Sequence, residues 1–160
     1  MSGQNALITP PYTPSQLKEP SVPAELERLS AVIPLVVNRR DFDFESNEAK
    51  ELHSHVSPEF AAQIDTLPQQ GRTVSWADQV SAWRKRAEDN PDAHFALTSI
   101  SSVVNEKKGV AQVYMDMEVS GIGDVKLHAM NELRWKRVDG IWLWYYVVGM
   151  RGTPGNSGLG

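Results

Sequence analysis

The last third of the chain contains a segment whose side chains alternate between apolar and polar. From Ala111 to Val119 the sequence reads AQVYMDMEV, with an apolar residue at every second position. A β-strand points successive side chains to opposite faces, so this alternation predicts a strand with one buried and one solvated face. Further strand-like runs between Phe95 and Met150 are separated only by turn residues, and the sequence before them has helical spacing. We therefore predict an α+β fold in which N-terminal helices pack on one antiparallel sheet.

Charge, cysteine content and hydropathy narrow the function classes. The 160 residues carry a formal net charge of −4 without a basic run, which argues against nucleic acid as a partner. The chain has no cysteine, so disulfides, thiolate metal sites and a thiol nucleophile are excluded. No apolar run approaches the roughly 20 residues of a membrane helix, and no signal peptide is evident. The sequence predicts a cytoplasmic protein that does not bind a membrane.

Both ends of the chain have a composition that is unlike a folded core. Residues 1–23 contain five prolines among Ser, Thr and Gln, which predicts a disordered N-terminal tail. Residues 151–160 are mostly Gly, Ser, Asn and Pro, which predicts a flexible C-terminal tail. The folded domain is expected to span residues 24–150.

Capping residues ahead of helically spaced apolar residues indicate four helix starts. Pro34 falls inside the first helical pattern and should kink or end that helix. The predicted starts lie near Pro23, at Ser46, at Ser57-Pro58-Glu59 ahead of Phe60, Ile64 and Leu67, and at Ser75, which has Asp78 three residues later.

Two turns set the register of the predicted strands and divide their residues between two faces. Asp139-Gly140 is a two-residue hairpin signal. Across the turn at 120–124, the apolar faces of the two flanking strands coincide if Val119 opposes Val125. A slip of one residue would turn the apolar set outward. The first hairpin leaves open whether Thr98 or Ser99 faces inward. The predicted pairs are Val138–Ile141, Trp135–Trp144, Leu133–Tyr146, Met117–Leu127, Val113–Asn131 and Asp116–His128.

Three motifs and the order of elements resemble a known superfamily. The motifs are HVSPEF at 55–60, SWADQVSAW at 75–83 and NELRWKRVDGIWLWYYVVGMRG at 131–152. Residues 24–150 thereby resemble the SnoaL-like, nuclear-transport-factor-2-like (NTF2-like) superfamily, and within it the small fungal members of natural-product pathways. The resemblance implies a curved sheet wrapped around helices into a cone with an internal pocket. It also implies that no metal or cofactor is needed, and that the chain forms a homodimer through the outer sheet face.

Asn131 and Tyr146 are the polar side chains on the predicted inner face of the last strands. A buried amide or phenol needs a hydrogen-bond partner, and in a pocket a substrate carbonyl or enolate would supply it, as in an oxyanion hole. We therefore predict both as catalytic. The alternative is that Asn131 bonds neighbouring backbone and Tyr146 reaches solvent at the rim.

The general base is sought between the first helices, which the resemblance places near the mouth of the cone. His55 or Asp41 is the predicted base, because a neutral imidazole or a carboxylate can accept a proton from a carbon acid. His53 and Asp43 lie in the same segment, and the alternative for all of them is a solvated surface. The spacing of His53 and His55 does not suit one helix face, so no metal site is predicted.

An acid–histidine pair on the outer face and a set of large apolar residues can each be interpreted as functional or as structural. Asp116 and His128 could form a dyad, but the charged, sign-alternating outer face that carries them is typical of a solvated surface or a polar dimer interface. Large apolar side chains could line a pocket for a flat ligand, although such residues are usually core. The predicted substrate-binding residues are Trp76, Trp83, Met115, Met117 and Trp144.

The leading hypothesis is a cofactor-free isomerase, cyclase or dehydratase. Its substrate would be a hydrophobic polyketide- or terpenoid-like molecule of secondary metabolism, as the resemblance implies. The alternative is a non-catalytic small-molecule-binding or dimerisation module of the same fold. A deep pocket with convergent polar groups would favour the enzyme, and a cone filled with Trp and Met would favour the alternative.

Overall fold

The computed structural model describes residues 20–63 and 73–151 of the chain, so both predicted tails lie almost entirely outside the described residues. These two ranges contain four helices and six strands. The helices are α1 (Val22–Ser30), α2 (Val32–Arg39), α3 (Asn47–Ser54) and α4 (Trp76–Asp89). The strands are β1 (Val56–Gln63), β2 (Thr73–Val74), β3 (His94–Asn105), β4 (Val110–Ile122), β5 (Val125–Val138) and β6 (Ile141–Arg151).

The six strands form a single sheet in the order β2-β1-β6-β5-β4-β3. Helices α1 and α2 pack against β3, and α4 contacts β1. The predicted α+β class, with helices packed on a sheet, is confirmed. The expectation of a purely antiparallel sheet is wrong at one place, because β1 pairs with β6 in parallel.

The predicted helix start at Ser57-Pro58-Glu59 is wrong, since these residues lie within strand β1. They fall where the pairing of β1 with β6 shifts, between Val56 and Ala61. Proline is tolerated at such a bulge because no ladder N–H is required there. The Ser57 hydroxyl still accepts a hydrogen bond from the backbone N–H of Glu59 at 3.1 Å, so the cap-like contact forms without a helix. Ile64 and Leu67 lie outside the described residues.

The other three helix starts are confirmed. Ser21 caps α1, with Pro23 in its first turn, and Ser46 and Ser75 cap α3 and α4. Pro34 cannot donate a backbone hydrogen bond to the carbonyl of Ser30, and the helical segment is divided into α1 and α2 at Ala31.

An aromatic cluster holds α4 against the sheet. Trp76, the first residue of α4, has its ring centroid 5.6 Å from that of Trp144 on β6. Trp144 in turn stacks on Trp135 at 6.5 Å, and both are almost fully buried, at 1% and 0% exposure. The other rings that contact Trp76 are Phe44, His53, Phe60 and Trp83.

A bulge in the last hairpin changes which residues of β6 face inward. The predicted pairs Val138–Ile141 and Trp135–Trp144 are confirmed. Beyond them the register shifts by one residue, so Tyr146 opposes Arg134 and Val147 opposes Leu133. The predicted Leu133–Tyr146 pair is therefore wrong. Tyr146 lies on the outer face of the sheet and Val147 takes its inner position.

The hairpin between β4 and β5 is shifted by two residues from the prediction. Val119 pairs with Leu127, and Met115 pairs with Asn131. An even shift keeps every side chain on its predicted face, so Asn131 does face inward. The partners change, however, and Asp116 opposes Met130 rather than His128.

The open question about β3 is answered by a bulge between Leu97 and Ser99. Ser99 pairs with Asp116 on the outer face, and Thr98 is the exposed extra residue. Leu97 and Ile100, on either side, continue the inner face. Neither Thr98 nor Ser99 faces inward.

The side chain of Asn38 joins α2 to strand β3, which lies at one edge of the sheet. Its amide nitrogen donates to the carbonyl oxygen of Phe95 at 2.8 Å, and its amide oxygen accepts from the backbone N–H of Phe95 at 2.8 Å. The side chain therefore satisfies both backbone groups of Phe95, as a neighbouring strand would.

The turn between β4 and β5 yields a stability prediction. Gly121 and Gly123 have φ values of +83° and +68°, which favour glycine. A Cβ at Gly121 would overlap the backbone carbonyl of Asp92, whereas a Cβ at Gly123 would meet nothing within 4 Å. We expect Gly123→Ala to cost about 1 kcal/mol of strain, and Gly121→Ala about 2–3 kcal/mol more. The free energies of unfolding of the two variants, measured in urea, check this expectation. Equal losses of stability would show that a Cβ at Gly121 does not overlap the backbone of Asp92.

Candidate functional site

Asn131 lies on the inner face of β5, between Met115 on β4 and Gly149 on β6. Its side chain is half-buried. A Cβ added at Gly149 would lie 3.5 Å from Asn131 Oδ1, so the missing side chain leaves space beside the amide. Gly149 was not among the residues predicted from sequence. A glycine inside an otherwise apolar strand often marks a close approach of a ligand or another chain segment, and that signal could have identified it.

The surface around Asn131 is apolar. Met115 and Met117 of β4 and Leu127 of β5 face the same side of the sheet and are buried. Further along β5, the indole N–H of Trp135 is buried without a hydrogen-bond partner among the described residues. An amide in apolar surroundings is a strong donor to a carbonyl oxygen, because few solvent molecules compete for it. We call Asn131, Gly149, Met115 and Met117 the Asn131 surface.

The inner side of the sheet nearer the last hairpin is covered by aromatic side chains. Trp144 is buried, and its indole N–H donates to the carbonyl of Tyr146 at 3.0 Å. Trp76 is half-buried at the centre of the cluster that includes Trp144. Trp83 is also half-buried and contacts Trp76 at 5.8 Å. Packing accounts for Trp76 and Trp144 here, and the role of Trp83 in a pocket wall stays a prediction.

Tyr146 does not join Asn131. Its hydroxyl donates to Gln63 Oε1 at 2.6 Å, and the Arg134 guanidinium lies 4.9 Å from the centre of its ring. Both contacts place the phenol on the outer face and tie β6 to β1. The predicted inward position of Tyr146 is wrong because of the bulge that precedes it.

His55 is held at the opposite end of β6 from Asn131. Its Nδ1 lies 2.7 Å from the carbonyl oxygen of Trp142. A carbonyl only accepts, so Nδ1 carries the proton and Nε2 has the free lone pair when the ring is neutral. Asn131 pairs with Gly149, seven positions after Trp142, which is about 23 Å of extended strand. The structure does not bring His55 and Asn131 together.

Asp41 organises the loop after α2. Its two carboxylate oxygens accept from the backbone N–H groups of Glu45 at 2.9 Å and Ser46 at 3.1 Å. The hydrogen bond from Glu45, with help from Ser46, holds the pKa of the Asp41 carboxyl below its usual value. A carboxylate with a lowered pKa is a weak proton acceptor, so this geometry favours a structural part for Asp41.

The other sequence candidates lie on the surface. His53 is exposed and stacks on Phe44 at 5.1 Å, and Asp43 forms an exposed ion pair with Arg84 at 3.2 Å. The Asp116 carboxylate accepts from the Ser99 hydroxyl at 2.8 Å on the outer face. The predicted cross-strand pair Asp116–His128 is wrong, because Asp116 pairs with Met130 and His128 pairs with Glu118.

Glu27 of α1 was missed by the sequence predictions. Its Oε2 accepts from the hydroxyl of Ser102 at 2.5 Å. Ser102 pairs with Val113, so it points to the inner face, and Glu27 is half-buried. Strand spacing puts the backbones of Ser102 and Asn131 about 12 Å apart. A carboxylate therefore lies on the inner side of the sheet, carried by a helix instead of a strand.

The described residues hold neither a metal-binding cluster nor a membrane-spanning helix. Residues 20–63 and 73–151 contain no group of three or more His, Cys, Asp or Glu side chains placed to hold a metal ion. None of the helices in these ranges is long and apolar enough to cross a membrane.

Comparison with solved structures identifies the fold. No protein-family model matches the sequence, and no curated protein matches it either. An uncharacterised protein with a cystatin-like fold from Caulobacter vibrioides matches with a TM-score of 0.62 at 12% identity, covering 81% of this chain and 89% of that one. An NTF2-like protein of unknown function from Pseudomonas putida matches with a TM-score of 0.59 at 10% identity, covering 83% and 89%.

A third match is an enzyme. It is the hexachlorocyclohexane dehydrochlorinase LinA-type3 from Novosphingobium barchaimii, with a TM-score of 0.59 at 13% identity, covering 79% of this chain and 84% of that one. At these identities the matches establish the fold alone. The chain has the NTF2-like, cystatin-like fold, as its resemblance implied.

The two acidic residues of the loop after α2 yield a prediction that depends on pH. At about pH 7, Asp41→Ala should lower the free energy of unfolding by about 1–2 kcal/mol, because two backbone donors lose their acceptor. Because folding lowers the pKa of Asp41, its contribution to the free energy of unfolding is present above about pH 4 and is lost as the pH falls through the folded-state pKa. The difference in stability between Asp41→Ala and the wild type should therefore shrink in acid. Denaturant unfolding across pH measures both effects.

The control for this prediction is Asp43→Ala. Asp43 makes only an exposed ion pair, with its side chain 74% exposed, and should cost less than about 0.5 kcal/mol. If Asp41→Ala were as mild as the control at neutral pH, the structural role of Asp41 would be refuted.

Proposed function

We propose that this protein binds a hydrophobic small molecule on the Asn131 surface and acts on it as a cofactor-free isomerase, cyclase or dehydratase. The observation that carries the proposal is the half-buried amide of Asn131, which faces inward between Met115 and Gly149, beside the space that a side chain at position 149 would take. The substrate is a polyketide- or terpenoid-like ketone, the class implied by the resemblance to members of secondary-metabolic pathways. A fold match that is a dehydrochlorinase supports elimination or isomerisation chemistry on this scaffold.

Asn131 supplies the electrophilic part of this mechanism. Its amide N–H donates to the carbonyl oxygen of the ketone and stabilises the negative charge that develops there when a neighbouring C–H loses its proton. Met115 and Met117, which are buried beside Asn131 on the neighbouring strand, keep water from that oxygen and so strengthen the hydrogen bond.

Glu27 is the proton acceptor that we propose. It is a half-buried carboxylate on the inner side of the sheet, and a proton it takes from the substrate carbon can return to another carbon of the same molecule. His55 is too far along β6 to share a small ligand with Asn131, and Asp41 is occupied by backbone donors.

A non-catalytic binding module is the second candidate. The aromatic packing of Trp76, Trp135 and Trp144 favours it, because these side chains cover the inner side of the sheet nearer the last hairpin and leave less depth for a ligand. Both candidate functions place the ligand at Asn131. They differ in whether the protein catalyses a reaction of the bound ligand.

Binding and proton transfer can be tested separately with two probes. We expect β-naphthol, whose oxygen mimics an enolate, to bind and to quench tryptophan fluorescence. We expect β-tetralone in deuterium oxide to exchange its acidic C–H protons faster in the presence of the protein, as followed by NMR. Asn131→Ala should lower the exchange rate about 10- to 1,000-fold, the range for loss of one oxyanion donor. Glu27→Gln should abolish exchange and preserve naphthol binding.

Matched controls lie on the outer face. Tyr146→Phe, Asp116→Asn and His128→Ala should leave the exchange rate within a few-fold of wild type. Naphthol binding without catalysed exchange would select the binding module. Failure of both probes, or full activity in Asn131→Ala, would refute a ligand site at Asn131.

We also propose that the protein forms a symmetric homodimer through the outer face of the sheet, on the side away from the Asn131 surface. That face carries the internal Glu132–Arg134 ion pair at 2.8 Å. Near the two hairpin tips it also carries exposed β-branched side chains, which are costly to leave in water and suit a contact. They are Val103, Val110, Val138 and Ile141.

The dimer proposal predicts the mass in solution. Light scattering at tens of micromolar should give twice the chain mass, and Ile141→Lys or Arg134→Glu should shift the protein toward monomer. Leu35→Lys, at an exposed apolar residue on α2, is the control and should leave the mass unchanged. A wild-type monomer under these conditions would contradict the proposal.

A further inference from the structure

A surface cavity between α2 and α4 has a lining that the Asn131 surface does not share. It has a volume of about 190 Å³ and is lined by Arg40, Phe42, Arg84, Ala87 and Glu88. Phe42 and Ala87 are buried and, with Val37, form a small apolar cluster separate from the main core. The cavity therefore has an apolar floor with charged groups around it.

Arg40 is fixed in the wall of this cavity. Its Nη1 donates to the carbonyls of Val37 at 3.0 Å and Asn38 at 3.4 Å, and its Nη2 donates to the carbonyl of Pro91 at 2.7 Å. The bonds to Val37 and Asn38 stay within the end of α2, and the bond to Pro91 joins it to the loop after α4. They also hold the guanidinium in one orientation, so little side-chain entropy remains to be lost when a ligand binds.

The charge of Arg40 is not neutralised by the contacts it makes. All three of its acceptors are neutral carbonyls, and in the ranges 20–63 and 73–151 it forms no ion pair with a carboxylate. A guanidinium has five N–H donors, so at least two are left for a further acceptor. Its neighbour Arg39 differs, because it is exposed and paired with Glu48 at 3.6 Å.

Arg84 is a second cation of the lining. Its guanidinium lies 5.4 Å from the centre of the Phe42 ring and 3.2 Å from Asp43. Glu88 is the one carboxylate of the lining. Asp43 pairs with Arg84, so Arg40 is the cation of the lining that has no carboxylate partner among the described residues.

From this geometry we infer that the cavity is a binding site for a small organic monocarboxylate with an apolar body. The carboxylate accepts hydrogen bonds from Arg40, whose fork geometry suits two oxygens. The apolar body lies on Phe42 and Ala87. Glu88 disfavours ligands with two negative charges, such as phosphate at neutral pH. The inference does not rest on the proposed function, because the cavity and the Asn131 surface have no residue in common.

The test is a titration of the isotope-labelled full chain, followed by proton–nitrogen correlation NMR. Benzoate is the probe, benzamide is its neutral isostere, and inorganic phosphate represents an anion without an apolar body. We expect benzoate to shift the resonances of residues 40–43 and 84–88, with a Kd of about a millimolar, as befits a small ligand. Benzamide and phosphate should bind at least about tenfold more weakly.

Three variants localise the effect. Arg40→Gln should weaken benzoate binding about 10- to 100-fold, the loss that corresponds to one charged hydrogen-bonding group. Ala87→Met fills the cavity while keeping Arg40, and should abolish binding even if Arg40→Gln fails to fold. Arg39→Gln removes the same charge one residue away and should bind benzoate as the wild type does.

Four outcomes would overturn the inference. Equal binding of benzamide would show that the charge is not recognised. Equal shifts with phosphate would show an adventitious ion only. Unchanged benzoate affinity in Ala87→Met, or a loss in Arg39→Gln that matches Arg40→Gln, would show that the cavity itself does not hold the ligand.

Discussion

The contact between Trp76 and Trp144 is the interaction on which the arrangement of the domain depends. Trp76 begins α4 and Trp144 lies on β6, so their rings, 5.6 Å apart, set the distance between the helix layer and the sheet. Trp144 also stacks on Trp135, and its backbone N–H donates to the carbonyl of His55 at 2.7 Å. One residue thus fixes α4, β5 and the start of β1. Large aromatic side chains suit this position because they bury much apolar area with few rotatable bonds.

This packing divides the inner side of the sheet into two regions. Around Trp135 and Trp144 the space is filled, and polar groups such as His55 are held in backbone contacts at that end. Further along β5 and β6, Asn131 pairs with Gly149, and the buried side chains of Met115 and Met117 lie beside it on β4. Any ligand chemistry on the inner face is therefore expected at the second region, and the histidines predicted from sequence cannot take part in it.

Strand faces were predictable from sequence where alternation was strict. The odd positions of β4 from Ala111 to Val119 are all buried, and Asn131 faces inward as the alternation predicted. Tyr146 was placed wrongly because the run from Trp144 to Val148 is apolar or aromatic throughout, so no alternation reveals the extra residue at the bulge. A one-residue bulge moves every later side chain to the other face. The strand at Ser57-Pro58-Glu59 was likewise hidden, since its pairing with β6 is set by distant residues and not by local capping signals.

The site residues were harder to predict than the fold. Glu27 and Arg40 carry no local signal of their own, and their significance arises from Ser102 and Pro91, which lie far away in the chain. The sequence around Asp41 suits a catalytic carboxylate, but it suits a carboxylate that caps a loop equally well. The structure distinguishes the two roles, because the Asp41 carboxylate accepts hydrogen bonds from two backbone N–H groups of the loop.

The Asn38 side chain has a consequence for self-association of the protein at high concentration. Strand β3 ends the sheet, and from Phe95 to Asn105 it contains no charged residue to discourage another strand from adding to it. Asn38 occupies the outward backbone groups of Phe95, so a foreign strand cannot extend its ladder past this point without displacing a helix. A single amide therefore limits the length of edge open to fibril-like stacking, and the bulge at Thr98 interrupts the same edge three residues later.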